Sequence, residues 1–128
     1  HVASGLHATG GADWIVEGLA EYYSLELLRR SNTISQRRYE RAFDKLAQWS
    51  AADKCVATDR SQGAQTARAV LVMRALDQEI RTATHAKTTL DALMRALVEA
   101  NKPVTNASFR AQAVVLVGGP VAALAGCP

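Results

Sequence analysis

The feature that most constrains the fold is an apolar stretch near the middle of the chain. Apart from Arg74, every residue from Val70 to Leu76 is apolar, and the stretch lies within a predicted helix over 64–82. A helix that is apolar on almost every face is stable only where other protein segments surround it. The pattern therefore predicts a helical bundle in which this helix is the buried centre, with 66–80 as its most buried segment.

Four further helices are predicted around this centre, and each is bounded by capping or breaking residues. Their ranges are 13–30, 33–49, 89–100 and 105–117. Their predicted N-terminal caps are Asp13, Thr33, Thr88 and Thr105. Aromatic residues make up only 5% of the chain, which favours packed helices over a β-sandwich. We therefore expect an all-α fold of five helices, with one domain over 13–128 after a loop or frayed terminus at 1–12.

The charge pattern argues against nucleic-acid and membrane partners. The formal net charge is only +3, and no uninterrupted apolar stretch is long enough for a membrane span. The one basic stretch lacks interleaved aromatic residues, so we interpret it as a solvated face rather than a nucleic-acid site. Its members are Arg29, Arg30, Arg37, Arg38 and Arg41.

Two cysteines, Cys55 and Cys127, match no metal-ligand spacing. Two interpretations are open: unrelated buried thiols, or one disulfide that ties the end of the chain to an inter-helix loop. A disulfide closing so long a loop is worth about 4 kcal/mol. It would indicate an oxidising compartment, and hence a periplasmic or secreted protein.

Glu17 stands in an otherwise apolar first turn, between Val16 and Gly18. Burying its carboxylate is costly unless a cation, a metal or good donors meet it. Gly18 is unfavourable inside a helix, so we expect another segment to approach its backbone closely. Glu21 follows one turn later on the same face, which suits a metal ligand with a supporting carboxylate. The alternative is a wet helix terminus where Glu17 interacts with the helix dipole and Glu21 is exposed.

The run WIVEGLAEYY, over 14–23, resembles the helix that supplies the third zinc ligand in gluzincin metallopeptidases, and is closest to glycyl aminopeptidases and the wider aminopeptidase clan. Three later segments are similar to that clan in the same order. They are 63–81, which resembles the buried helix after the active site, the helix start at 89–94, and the ending at 104–118. The resemblance spans about 13–119.

The resemblance implies that Glu17 binds zinc together with two histidines of a His-Glu-x-x-His helix, with Glu21 in support. The chain has no such motif, and it opens at His1 without an initiator methionine, so we interpret it as an excised piece or a processed product of a longer protein. His7 has no partner at ligand spacing and is expected to be a loop histidine. Taken alone, the chain is therefore expected to bind no zinc and to hydrolyse no peptide.

The likeness departs from the clan's pattern at Thr66, which stands where a tyrosine hydroxyl commonly stabilises the oxyanion. Tyr22 or Tyr23 could supply that donor or line the cleft. The alternative for both tyrosines is core packing.

The leading hypothesis is a fragment of a zinc-dependent, aminopeptidase-like enzyme whose longer form cleaves peptide substrates. One alternative is a non-catalytic helical module that binds a peptide or protein on a degenerate peptidase scaffold. Another is a basic helical domain with an acidic partner. The oligomeric state is not determined by the sequence.

Overall fold

A computed structural model describes residues 6–50 and 63–128. Within these ranges the protein is all-α: it contains five α-helices and a short 3-10 helix, and no strand. The α-helices are α1 (Asp13–Arg30), α2 (Gln36–Trp49), α3 (Ala64–Ala83), α4 (Leu90–Ala100) and α5 (Asn106–Val117). The 3-10 helix is Ala122–Leu124. No helix in this part of the chain is both long enough and apolar enough to cross a bilayer.

The central position of α3 is confirmed, because α3 contacts every other helical element of the described chain. Its fully buried side chains include Val70, Met73, Leu76 and Ile80. The expectation that 66–80 alone is the most buried segment is wrong, since α1 buries as many residues as α3 does. The aromatic residues of α1 extend into the core, whereas one side of α3 reaches the surface at Ala75. The two helices form the core together.

Two helix starts differ from the prediction near the first inter-helix turn. Helix α1 begins after Ala12 without any side-chain cap, so Asp13 is its first helical residue rather than its cap. Helix α2 is capped by Ser35, whose backbone is extended and whose hydroxyl accepts a hydrogen bond from the Arg38 N–H at 3.1 Å. The predicted cap, Thr33, instead lies in the turn after α1 and its hydroxyl bonds to that of Ser31.

Of the caps predicted for the last two helices, one is wrong and one is confirmed. Helix α4 is capped by Thr89, which accepts from the Asp91 N–H, rather than by Thr88. The prediction of Thr105 is confirmed: it caps α5 in a reciprocal capping box with Ser108. Thr89 displaces Thr88 because it is the residue whose extended backbone directly precedes the helix.

Gly18 permits α1 and α3 to pack closely. A Cβ placed on Gly18 would lie 2.8 Å from the Cβ of Ala69, and 3.2 Å from the carbonyl carbon and oxygen of the same residue. These separations are too short for carbon atoms in van der Waals contact. The expected close approach to the Gly18 backbone is therefore present, and α3 makes it.

Residues 6–12 form a loop that pairs with the segment before α5. Ala8 makes an isolated parallel bridge with Val104, and the Thr9 N–H donates to the Val104 carbonyl at 3.0 Å. Leu6 is buried and belongs to the hydrophobic core. The described part of the N-terminal loop is thereby attached to the helical core.

The C-terminal segment is held by two long polar side chains. Arg110 of α5 donates to the carbonyl oxygens of Leu124, Cys127 and Pro128. The Glu79 carboxylate accepts from two backbone N–H groups at the start of the 3-10 helix. Cys127 is disulfide-bonded. The predicted partner, Cys55, lies outside the described residues, so that pairing stays a prediction.

Candidate functional site

A groove of about 560 Å³ runs between α1, α2 and α3. Most of the described side chains that line it are apolar, and the charged ones among them are Glu17 and Glu21 on α1 and Lys45 on α2. The remaining described residues of the lining are Leu25, Ala42, Leu46, Trp49, Gly63, Thr66, Ala67 and Val70. An apolar concavity with a few polar groups is the usual form of a small-ligand or peptide site.

Glu17 and Glu21 project into this groove from successive turns of α1. The Glu17 residue is half-buried and Glu21 is exposed. Asp13 stands one turn before Glu17, so three carboxylates follow each other along one side of the helix. Burial, and then the negative charges of Asp13 and Glu21, raise the pKa of Glu17 above its ordinary value. A bound cation would relieve this repulsion on the α1 side of the groove.

The adjacent residues Glu17 and Gly18 point in different directions and do different things. Glu17 faces the groove, whereas Gly18 faces Ala69 across the α1–α3 contact. Helix packing accounts for the glycine without any ligand. Helix packing does not explain why residue 17 is a glutamate.

Thr66 lies in the same groove as Glu17 and Glu21. The structure therefore places three predicted site positions in one groove. They are Glu17, the predicted ligand, Glu21, its predicted support, and Thr66, where the family that the chain resembles commonly has a tyrosine. A threonine hydroxyl is a donor like a phenol, but its side chain is shorter and reaches less far into the groove. Any oxyanion contact from Thr66 would therefore require a substrate that lies close to α3.

Tyr22 and Tyr23 do not lie in the groove. Both are buried, and they donate to carboxylates elsewhere: Tyr22 to Asp77 at 3.4 Å and Tyr23 to Asp91 at 2.6 Å. Burial raises the pKa of both phenols, and the nearby aspartates raise it further. Their rings pack edge to face with centroids 5.3 Å apart. Both tyrosines are therefore packed in the core, as the alternative interpretation expected.

A buried polar network on the other side of α1 was not expected from the sequence. Glu26 is 2% exposed and accepts hydrogen bonds from the Tyr39 hydroxyl at 2.7 Å and from the guanidinium groups of Arg29 and Arg30. The sequence signal was present, since Glu26 is followed at helical spacing by two arginines. Two members of the basic stretch therefore have intramolecular partners.

Asp77 continues this network between α3 and α4. It is 6% exposed and accepts from the Arg81 Nε at 2.8 Å and the Leu90 N–H at 2.8 Å. Its contact with the first turn of α4 stabilises the relative position of the two helices, because that N–H has no partner within its own helix. The other three arginines of the basic stretch, Arg37, Arg38 and Arg41, are exposed on α2.

The described residues contain no group of three histidine, cysteine, aspartate or glutamate side chains that could hold a metal ion. His7 is exposed in the N-terminal loop, and its carbonyl accepts from the Val104 N–H at 2.8 Å. Glu17 and Glu21 could thus contribute to a metal site only as part of a larger set of ligands. Comparison of the chain with protein-family models, with curated proteins and with solved structures finds no significant match.

Proposed function

We propose that this chain is the helical C-terminal part of a zinc-dependent, aminopeptidase-like metallopeptidase, in which Glu17 is the third zinc ligand. The observation that carries the proposal is the position of Glu17: a half-buried carboxylate, repelled by its neighbours, on the wall of the groove of about 560 Å³ between α1, α2 and α3. The resemblance of the run at 14–23 to the third-ligand helix of gluzincins gives that carboxylate a chemical role.

The Glu17 carboxylate of this chain is suited to be one of the protein ligands of such a zinc site. Carboxylate oxygens are common zinc ligands, and catalytic zinc takes three protein ligands and keeps one open position. Glu17 supplies one ligand, and the two histidines would come from a His-Glu-x-x-His helix outside this sequence. When bound, zinc supplies a polarised water and a Lewis acid for the peptide carbonyl.

The residues of this chain would do three things in that enzyme. Glu17 would hold the metal on the α1 side of the groove, and Glu21, one turn further on, would support the centre by accepting a hydrogen bond from another ligand of the metal. The apolar walls from α2 and α3 would exclude water from the bound peptide. Thr66 stands where the oxyanion donor is expected, and its short side chain would reach only a substrate that lies close to α3.

The decisive experiment replaces Glu17 with alanine in the longer protein that contains this segment. We expect Glu17→Ala to lose stoichiometric zinc and peptidase activity together, with unchanged helix content by circular dichroism. Glu21→Ala should weaken zinc binding by roughly 10–100-fold. Glu99→Ala, an exposed glutamate of α4, is the matched control and should change neither. Full zinc occupancy and normal turnover in Glu17→Ala would overturn the assignment.

A second arm uses the 128-residue chain by itself. One carboxylate with a supporting neighbour holds zinc weakly, because tight sites need three or four protein ligands. Added zinc should therefore leave the melting temperature of this chain unchanged. A large zinc-dependent stabilisation would contradict the proposed division of ligands between two segments.

Thr66 favours one other function, a peptide-binding module on a peptidase scaffold that has lost catalysis. The groove and its charges are retained in that case, while the tyrosine donor of the resembling family is replaced. The two functions differ in the segment that precedes this one in the gene. A His-Glu-x-x-His motif there supports the enzyme, and a longer protein without it supports the binding module.

A further inference from the structure

Another hollow, of about 290 Å³, lies between α1, α2 and α3, and its described lining shares no residue with the groove of Glu17. Charged residues of both signs line it in equal number. They are Glu26 and Arg29 of α1, Glu40 of α2, and Arg74, Asp77 and Arg81 of α3. We call this hollow the arginine cleft. Because its charges balance, hydrogen bonding rather than net charge decides which ligand it favours.

The two buried carboxylates of the arginine cleft already have donors from within the protein. Glu26 accepts hydrogen bonds from one tyrosine hydroxyl and two guanidinium groups. Asp77 accepts from a tyrosine hydroxyl, a guanidinium group and a backbone N–H. A cationic ligand would have to displace these bonds, which hold the helices together. The cleft is therefore poorly suited to a positively charged ligand.

The three arginines, in contrast, have donors to spare. A guanidinium group carries five N–H donors in a planar fork. Among the described residues, Arg74 donates only from Nη2, to Glu40 at 2.6 Å. Arg81 donates only from Nε, to Asp77 at 2.8 Å, and Arg29 leaves its Nη1 without a hydrogen bond to this part of the chain. The cleft thus has more donors than acceptors for a ligand.

Aromatic rings hold two of these guanidinium groups in place. The guanidinium carbon of Arg74 lies 4.3 Å from the ring centroid of Phe43 and 5.8 Å from that of Tyr39. The guanidinium carbon of Arg29 lies 5.5 Å from the same Tyr39 centroid. A guanidinium stacked on a ring is pre-organised, so it loses little entropy when it binds an oxyanion. Two cations beside one ring also repel each other, and an anion that contacts both reduces this repulsion.

An anion with several oxygens matches these donors. A carboxylate has two oxygens, whereas the unused donors belong to three guanidinium groups on two helices. A phosphate group has at least three acceptor oxygens and carries nearly two negative charges near neutral pH. We propose that the arginine cleft binds a phosphate group through Arg29, Arg74 and Arg81. The group belongs to the inorganic ion or to a phosphomonoester, since both present the same oxygens.

Glu40 is the residue that a bound phosphate displaces. Its side chain is 46% exposed, and its ion pair with Arg74 is the one in the cleft that involves no buried carboxylate. An exposed ion pair is weak and is screened by salt. Glu40 therefore competes with phosphate for Arg74, and removal of its charge should strengthen phosphate binding.

The binding is measured by NMR on the 128-residue chain, with the Arg74 Nε–H as the reporter. Inorganic phosphate, O-phosphoserine and acetate are titrated separately at pH 7, with sodium chloride keeping the ionic strength constant. We expect saturable shifts with inorganic phosphate, and at least about tenfold weaker binding of acetate. O-phosphoserine that binds as tightly identifies a phosphomonoester site, whereas binding of inorganic phosphate alone identifies a site for the free ion. Either result supports the phosphate assignment.

Two variants with matched controls locate the site. Arg74→Gln should weaken phosphate binding by about tenfold, whereas Arg95→Gln, at an exposed arginine of α4, should leave it unchanged. Glu40→Gln should strengthen it by about two- to fivefold, whereas Glu99→Gln should not. Impaired folding does not account for stronger binding, so Glu40→Gln tests the site even if Arg74→Gln is unstable.

The proposal is overturned if neither phosphate compound gives saturable shifts, or if acetate binds as tightly as phosphate. It is also overturned if Glu40→Gln binds phosphate no more tightly than Glu99→Gln, or if a folded Arg74→Gln binds it like Arg95→Gln. These outcomes do not depend on the zinc assignment, because neither Glu17 nor Glu21 lines the arginine cleft.

Discussion

At the scale of single residues, the segment Glu17–Glu26 combines groove chemistry with packing on different sides of α1. Glu17 and Glu21 face the groove, Gly18 meets α3, and Glu26 is buried in the polar network. A helix places residues one turn apart on the same side, so neighbouring residues in the sequence meet different surroundings. Substitutions within this short segment should therefore have clearly different effects.

Gly18→Ala should destabilise the fold. The new methyl group would lie 2.8 Å from the Ala69 Cβ, and overpacking of this kind costs about 1–3 kcal/mol. The better helix propensity of alanine offsets at most about 1 kcal/mol. Adding Ala69→Gly should restore part of the lost stability by removing the nearest atom. Thermal unfolding of the single and double variants measures both effects.

Gly119→Ala is the matched control, because a Cβ at that position would meet no atom within 4 Å. It should leave the melting temperature nearly unchanged. If Gly18→Ala is as stable as Gly119→Ala, then α1 and α3 do not approach as closely as described here.

Glu26 should make stability depend on acid. Burial alone raises its pKa, but hydrogen bonds from Arg29, Tyr39 and Arg30 outweigh burial, so its pKa in the folded protein is below the ordinary 4.5. A carboxyl with a lowered native pKa contributes stability that is present above pH 4.5 and is lost as the pH falls through the native pKa. Urea unfolding at pH 7 and at successively lower pH values measures this loss.

The comparison variant is Glu26→Gln, which keeps the shape of the side chain and removes its titration. At pH 7 it should be less stable than the natural chain by about 1–3 kcal/mol, because the hydrogen bonds to charged groups are weakened. The difference should shrink as the pH is lowered. A difference that stays constant from pH 7 down to acid would contradict the role of Glu26.

At the scale of helices, the ends were harder to anticipate than the helices themselves. Apolar spacing located all five segments, but hydroxyl residues stand next to one another or close together before α2 and α4. The residue that caps a helix is the one whose backbone is extended where the helix begins. That conformation is decided by how the preceding turn closes, and for α2 the turn is fixed by its contact with the end of α1.

Ser35→Ala and Thr33→Ala test this distinction directly. Ser35→Ala removes the side-chain acceptor of the Arg38 N–H and should cost about 1 kcal/mol. Thr33→Ala removes only an exposed contact with the Ser31 hydroxyl and should cost less than about 0.5 kcal/mol. Chemical denaturation of both variants gives the two values. Equal losses of stability in the two variants, or a larger loss in Thr33→Ala, would contradict the assignment of Ser35 as the cap of α2.

At the scale of the whole molecule, the fold is organised around α3, and the groove exists because α1 and α2 contact α3 on neighbouring sides. The polar network of Glu26 and Asp77 lies on the far side of α1, where it joins α1 to α2, α3 and α4. The candidate site is thus supported by a core that contains charged groups as well as apolar ones. Substitutions in the polar network should therefore destabilise the apolar core, and substitutions in the apolar core should destabilise the polar network.

Amide hydrogen exchange should show α3 and α1 as the slowest-exchanging parts of the chain. The amides of 70–76 are covered by the other helices, so they should exchange only when the molecule unfolds globally. Those of α5, where only Phe109 and Ala113 are buried, should exchange faster. Fast exchange across 70–76 would contradict the central position of α3.

The sequence by itself determined the all-α class, the approximate extent of the five helices, the central position of the most apolar one, and the close approach to Gly18. These follow from local periodicity and from the conformational preferences of single residues. The sequence also indicated Glu17 and Glu21 as a pair on one face, because helical spacing alone fixes that relation.

Only the tertiary structure decided what those residues meet. Leu46 and Trp49 are distant from Glu17 in sequence, yet they line the same groove, whereas Tyr22 lies within two turns of Glu17 and contacts Asp77 instead. The sequence likewise does not indicate which residue lies against Gly18, and the structure shows that it is Ala69. Periodicity fixes the faces of a helix, but the packing of α1 against α2 and α3 selects which face becomes groove and which becomes core.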